Sequence, residues 1–260
     1  IHAQRHALLQ TVLDDSRHFA VVIGFVDLGL GDRGDDHHPF AVTAGRHAQF
    51  IQLGDTLIDH IKAYLYRNGE YDPTAENSFA PALCNRIDRN TAGLVIAAKN
   101  AEALRDMNAT IRDRGISKLY LAACHGFFEK KQGIMTAYLE KNAAENKVFV
   151  RTKAGENTKT AALRYRVIDE NRAEKLSLVE IELLTGRTHQ IRVQMADSGH
   201  PLLGDGKYAV NKDDRKRGYT YQALCSYMLA FEKPQGSLSY LTGKTVRADK
   251  PDFLVKFGAK

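Results

Sequence analysis

The stretch NRIDRNTAGLVIAAK, residues 85–99, decides how the rest of the chain reads. Its later part, GLVIAA (93–98), is a short continuous apolar run and reads as a buried strand. Its earlier part places one carboxylate, Asp88, between Arg86 and Arg89, directly ahead of that strand. In extended backbone Arg86 and Asp88 share a face, and Arg89 approaches from the turn that follows. A carboxylate among guanidinium groups is expected to have its pKa lowered, so that it stays anionic and nucleophilic at neutral pH. Turns that enter a sheet are also where rigid scaffolds present reactive groups. Taken alone, the hexapeptide NRIDRN arises more often as plain surface ion pairing.

Outward from this stretch the chain reads as an ordinary mixture of helices and strands. DTLIDHIKAYLYRNG puts Leu57, Ile58, Ile61 and Leu65 at helical spacing, with Asp55 as a cap and Gly69 as a stop. NAEALRDMNATIRDRG places Leu104, Met107 and Ile111 on one helical face and ends at Gly115. SKLYLAACHG reads as a strand, and KVFVRTKAGENTKTAALRYRVID as strands around a polar turn. LSLVEIELL alternates, with Val179, Ile181 and Leu183 opposite Glu180 and Glu182, as a half-buried strand does. YQALCSYMLAFEKP reads as a further strand element. Helices and strands do not alternate strictly, so the expectation is an α+β fold with a mixed, largely antiparallel central sheet and flanking helices.

A second cluster strengthens the reading of Asp88. LLTGRTHQIR (183–192) gathers Arg187, Thr188, His189, Gln190 and Arg192 at a strand-to-helix turn. Helix starts favour anions, and an arginine there can grip a carboxylate or a phosphate with both arms. N-capping by Thr185 or Thr188 explains the threonines and the glycine, but not two arginines, a histidine and a glutamine so close together. His189 is a general-base candidate, although a lone histidine is more often a hydrogen-bonded structural residue. On SKLY, Tyr120 stands near Lys118; it is most simply a core aromatic, and if it faces the Asp88 cleft it suits stacking on a flat ring.

The full chain has 260 residues, 43% of them hydrophobic, with a net charge of +6. No run of eighteen apolar residues exists to cross a membrane, and no basic-then-apolar leader is visible. Cys84, Cys124 and Cys225 are isolated, which fits reduced thiols in a cytoplasmic protein and neither a disulfide framework nor a zinc site. The charge is uneven. Residues 1–53 hold four Arg and six Asp, a net of −2, so the remaining 33 basic and 25 acidic residues give 54–260 a net of +8. A basic globular body suits a polyanionic partner, nucleic acid first.

Residues 1–53 also contain no Lys, Glu, Tyr, Asn, Cys or Met but six of the ten His. That break sets a boundary near residue 54, with an atypical segment before it; a misjoined start or an intruding reading frame would leave the same trace. HFAVVIGFV within it has the composition of a strand. DDHH (35–38) invites a metal reading, but consecutive residues do not easily converge on one ion, and a solvated loop is expected instead.

In order and spacing, NRIDRNTAGLVIAAK, then KLYLAACHG, then LLTGRTHQIRVQMADSGHPLLGDGKY resemble the RluA-like pseudouridine synthases. The resemblance runs from about residue 54 to about residue 255. It implies isomerisation of uridine to pseudouridine in structured RNA, ribosomal ahead of transfer RNA, without cofactor or metal, on a mixed sheet split by a basic cleft. Asp88 matches the family's catalytic aspartate, Tyr120 its active-site tyrosine, and Arg187 the basic residue that pairs with the aspartate. Arg86, Arg89, Lys118, His189, Gln190 and Arg192 are the expected RNA contacts. A monomer is expected, its uridine flipped into the cleft. Asp88 could trap a sugar with oxocarbenium character or add to carbon 6 of the base, and both routes stay open.

The chain departs from the family pattern at Asn85, where histidine is usual, at Ala92, where serine is common, and at Cys225, which replaces a frequent histidine. Asn85 keeps hydrogen-bonding capacity, so little loss is expected there. The usual opening strand with its Lys-Pro turn is not recognisable, which would leave a bare sheet edge. KDDRKRGYTY (212–221) is a basic, aromatic loop that is either solvated or in contact with RNA. Two rival readings are a non-catalytic RNA-binding protein on the same fold and a glycoside hydrolase. The second lacks an evident second carboxylate beside Asp88.

Overall fold

The computed structural model describes residues 10–11, 19–24 and 56–257. Their frame is an 11-stranded sheet. In chain order the strands are β1 (Gln10–Thr11), β2 (Phe19–Gly24), β3 (Ala82–Leu83), β4 (Ala92–Ala98), β5 (Ile116–His125), β6 (Gln132–Asn142), β7 (Lys147–Arg151), β8 (Thr158–Asn171), β9 (Leu176–Leu183), β10 (Leu224–Phe231) and β11 (Thr245–Arg247). Across the sheet they run β1-β2-β4-β10-β5-β9-β8-β6-β7, with β3 beside β4 and β11 beside β10. Every pairing is antiparallel except β4 with β10. The mixed, largely antiparallel sheet expected from the sequence is therefore the one observed.

Helices explain the apolar character of β4. Helix α1 (Leu57–Arg67) lays Ile61 and Leu65 against Ala97, while helix α2 (Ala101–Arg112) lays Ala103 and Met107 against Leu94, Ile96 and Ala98. A strand covered on both faces must be apolar at every position, and that is why GLVIAA does not alternate. The helix expected after Asp55 starts at Leu57 with Thr56 as its N-cap; Asp55 lies outside the described residues. Asn100 caps α2, its side chain accepting the Ala103 N–H at 2.8 Å. Helix α3 (Gln190–Asp197) packs Ile191 and Met195 on Tyr120, Val179, Ile181 and Leu224. A five-residue helix, α4 (Lys212–Lys216), and a last one, α5 (Asp252–Phe257), complete the described elements, with α5 covering Leu121 and Leu178 on the other face of the sheet.

The one parallel pairing among the described residues creates a fork. β4 and β10 meet only at Ala92↔Cys225 and Gly93↔Ser226. Beyond that, β10 continues along β11 through Met228–Ala230, and β4 continues along β3 through Ala97 and Ala98. The junction demands glycine: a Cβ on Gly93, whose φ is +110°, would lie 2.1 Å from the Ser226 carbonyl oxygen.

At the outer edge, β2 pairs with β4 from Phe19↔Ala98 to Gly24↔Gly93. The bare edge expected from the atypical N-terminal composition is thus corrected, because HFAVVIGFV supplies the covering strand over 19–24. The DDHH stretch lies outside the described residues. No helix among the described residues is long and apolar enough to cross a membrane.

Candidate active site

Asp88 opens a tight turn just before β4. The Thr91 N–H donates to the Asp88 carbonyl at 3.0 Å, and Asn90 takes φ +64° at the third position, which asparagine tolerates. Two side chains hold this turn. Asn85 Oδ1 accepts the Ile96 N–H at 2.7 Å, so the residue standing where histidine is usual ties the segment to β4. Gln222, buried at the entry to β10, donates Nε2 to the Arg89 carbonyl at 2.7 Å and to Thr91 Oγ1 at 3.1 Å. Nothing in the sequence pattern marked Gln222, since its partners lie 133 and 131 residues away.

A groove of about 540 Å³ opens over this turn. Asp88 and Arg86 line it from one side, Lys118 and Tyr120 from β5, and Arg187 from the turn before α3. On β5, Lys118 and Tyr120 are two residues apart and face the same way, as the strand period requires. The C-terminal end of α2 adds Arg112 and Arg114, which the motifs did not indicate. A volume of this size fits one nucleotide.

The guanidinium beside Asp88 is not the expected one. Arg192 Nη1 lies 3.8 Å from Asp88 Oδ2, with the two side chains 8% and 16% exposed. Arg187 instead turns its Nε to the Thr160 carbonyl at 3.0 Å, on the exposed wall of the groove. The reason lies in the turn. His189 adopts the left-handed conformation, φ +51°, ahead of α3, and that swings the first turn of the helix inward. Arg192, on that turn, is buried, whereas Arg187 precedes it and stays outside. Arg192 is then fixed by Asp205, which takes its Nε at 2.7 Å and its Nη2 at 2.8 Å. Asp205 is fully buried and also accepts the N–H groups of Lys207 and Tyr208. Burial alone would raise its pKa, but the Arg192 bonds and charge, with those N–H groups, hold the carboxyl below its ordinary value.

Of the expected RNA contacts, Gln190 lines the groove and Arg192 does not, and both side chains are held by bonds within the protein. Gln190 is buried, and its side chain closes the turn internally: Oε1 accepts from Thr185 Oγ1 and the Arg187 N–H, and Nε2 donates to the Ala162 carbonyl. Arg192 is committed to Asp205 and is too buried to serve as a surface phosphate contact. Thr185 and Thr188 do not cap α3, whose N-cap is His189 with no side-chain cap bond. His189 Nδ1 lies 2.8 Å from the Tyr208 hydroxyl, which itself accepts the Val148 N–H at 3.0 Å. Burial lowers the His189 pKa, and the pull of Asp88 in the other direction does not restore it, so the ring is neutral at pH 7. Arg89 is exposed and contributes its carbonyl, not its side chain, to the described bonds.

Burial also shapes the groove chemistry. The Tyr120 phenol, 6% exposed, is pushed up to about 12, so it keeps its proton at neutral pH. Lys118 is pulled down by burial. The basic stretch 212–221, expected as a loop, opens with helix α4 and is anchored there, Asp214 accepting from the Gly204 N–H at 2.8 Å and meeting His125 Nε2 at 3.0 Å. His200 stacks on Phe128 with ring centroids 3.8 Å apart. Among the described residues no three His, Cys, Asp or Glu side chains converge as metal ligands would.

Fold and groove together define a pseudouridine-synthase architecture, and the sequence comparisons agree. The sequence model of the RNA pseudouridylate synthase family matches residues 45–197, and the chain belongs to that family. It is 34% identical over 188 residues to an uncharacterised RNA pseudouridine synthase of Mycoplasma genitalium, covering 72% of this chain and 56% of that protein. It is 33% identical over 172 residues to the ribosomal large subunit pseudouridine synthase C of Pasteurella multocida, covering 65% and 50%. The chain thus spans about half the length of the curated relatives it matches. The fold matches human RNA pseudouridylate synthase domain containing 1, with a TM-score of 0.62 at 22% identity over 100% of this chain and 98% of that one. Human RNA pseudouridylate synthase domain containing 4 gives a TM-score of 0.64 at 18% identity, over 95% and 91%.

Proposed function

We propose that the chain isomerises uridine to pseudouridine in structured RNA, ribosomal ahead of transfer RNA, with Asp88 as the nucleophile. One observation carries this reading: the Asp88 carboxylate, 16% exposed, lies in a nucleotide-sized groove beside a guanidinium that Asp205 holds in place. The reaction breaks the bond between C1′ and N1, turns the uracil, joins C1′ to C5, releases the C5 proton to solvent and takes one proton from solvent onto N1. No atom is gained or lost overall. Asp88 serves it by stabilising the electron-poor C1′ or by adding to C6, and each needs an ionised carboxylate at the sugar–base junction. Arg192 supplies a fixed positive charge beside it. Tyr120, held as a neutral phenol, offers a ring edge and a hydroxyl rather than a phenoxide base. The nucleotide leaves its helix to reach the groove, and Arg86, Lys118 and Arg187 meet its phosphates.

The preference for ribosomal RNA draws on the Pasteurella multocida relative, a ribosomal large subunit pseudouridine synthase. The same reading has the protein act as a cytoplasmic monomer without metal or cofactor.

The test is pseudouridine formation on unmodified ribosomal and transfer RNA transcripts, read as carbodiimide-dependent reverse-transcription stops. Wild type is expected to act on the ribosomal transcript, and Asp88→Asn to lose roughly 10³-fold or more with its melting temperature retained. An Asp88→Asn protein as active as wild type would remove Asp88 from this role. RNA binding without isomerisation would make the chain a non-catalytic binder.

A further inference from the structure

Arg114 is the groove residue that the fold has least reason to place where it is. α2 ends in a Schellman turn: the Gly115 N–H reaches the Thr110 carbonyl at 2.8 Å, and the Arg114 N–H reaches Ile111 at 3.3 Å. The residue at the left-handed position of such a turn is usually glycine. Here it is Arg114, with φ +58°. Gly115, one residue later, is committed elsewhere, because a Cβ there would lie 2.3 Å from the Lys233 carbonyl oxygen. A left-handed arginine carries a backbone cost that glycine would not, and such strain persists where the side chain has a task. Complementing the helix dipole is not that task, since Arg112 already occupies the last turn, 3.2 Å from Asp113.

The surroundings of Arg114 point to an anion. It is exposed, lines the groove, and has no ion pair among the described residues. Of the acids nearby, Asp113 accepts from Arg112 and Gln235, and Glu232, whose backbone N–H bonds to the Gly115 carbonyl, accepts from Ser117 Oγ at 2.6 Å. On the opposite face of the sheet, by contrast, Arg166 is matched by Glu180 at 2.7 Å.

We propose that Arg114, assisted by Arg112, forms a phosphate-binding ledge on the α2 side of the groove, gripping the RNA backbone beside the nucleotide that enters it. This rests on RNA being the partner. A groove that admits one nucleotide leaves the flanking phosphates at its rim, and an unpaired guanidinium there makes the charge-assisted contact.

The full-length chain is compared as wild type, Arg114→Gly and Arg166→Gln, using a fluorescein-labelled stem-loop RNA with a uridine-rich loop. Anisotropy is titrated over a salt series, and thermal unfolding is followed in parallel. Arg114→Gly relieves the backbone, so its melting temperature is expected to equal or exceed that of wild type. Its RNA affinity is expected to fall on the order of fivefold, and its log–log salt slope to shrink by roughly 0.7–0.9, one phosphate contact. Arg166→Gln removes the same charge from the other face and is expected to leave the slope unchanged. An unchanged slope in Arg114→Gly overturns the ledge, as does an equal loss in Arg166→Gln or a wild type without salt-dependent RNA binding. A wild type that binds RNA without isomerising it defeats the catalytic reading alone, and the slopes still decide the ledge.

Discussion

At the scale of single residues, Arg192 shows how a buried charge is made safe and then used. Two of its nitrogens are spent on Asp205, and a third faces Asp88. Asp205→Ala would leave a buried guanidinium without its main partner, a loss of about 3–5 kcal/mol. A lower midpoint of urea unfolding at an unchanged slope would show it. The same pair predicts acid behaviour. Since Asp205 is held below its ordinary value in the fold, its contribution is present above the unfolded value of about 4 and is lost as pH falls through the lower folded one. Asp205→Asn should therefore unfold with a shallower pH dependence below about pH 4 than wild type. None of this was readable from LLTGRTHQIR. The resemblance gave Arg187 as the partner of Asp88 and Arg192 as an RNA contact, whereas behind the left-handed His189 it is Arg192 that turns inward. Asp88, Tyr120 and Lys118 were readable, because period-two spacing and a turn before an apolar run place them without knowledge of distant partners.

At the scale of elements, the fork between β4 and β10 governs where the Asp88 turn sits. Gly93→Ala would drive a methyl group into the Ser226 carbonyl and is expected to cost about 3 kcal/mol. Gly186→Ala, whose nearest neighbour would be Lys118 Nζ at 3.8 Å, is the stability control and should melt close to wild type. Gln222→Ala frees the Arg89 carbonyl and the Thr91 hydroxyl. Drift of the Asp88 turn should then lower kcat roughly 10–100-fold with RNA affinity little changed. A fall in affinity with kcat intact would contradict that. The helices at 57–67 and 101–112 and the strands around 93–98 and 176–183 were legible because each buries a face with its own period. The fork was not, since a parallel contact between strands so far apart in the chain leaves no local trace. Composition misled at β2: the absence of lysine suggested a missing strand, while the apolar run at 19–24 was enough to form one.

For the molecule as a whole, burial of neutral acids predicts alkaline sensitivity. The Cys84 and Cys225 thiols and the Tyr120 phenol are all pushed up to about 12 by burial, and Cys124 is also raised. The folded protein keeps these protons where the unfolded chain releases them. Stability is then full below the unfolded values, about 8.5 for thiols and 10 for the phenol, and falls as pH rises toward 12. Melting temperatures at successive pH values above 8 would check this, and a flat profile to pH 11 would contradict it. Basic charge was legible in the sequence as an attraction to polyanions, and the resemblance implied a basic cleft, but the share that Arg112 and Arg114 take in it was not legible, because they belong to no motif. The bond from Gln222 to the Asp88 turn has one more consequence. It spans 133 residues, so on the ribosome the reactive acid is made long before the side chain that steadies it. Until residues 192 and 222 emerge, that acid has neither its counter-ion nor the tether of its turn, and the Asp88 turn takes its final form only when most of the chain has been made.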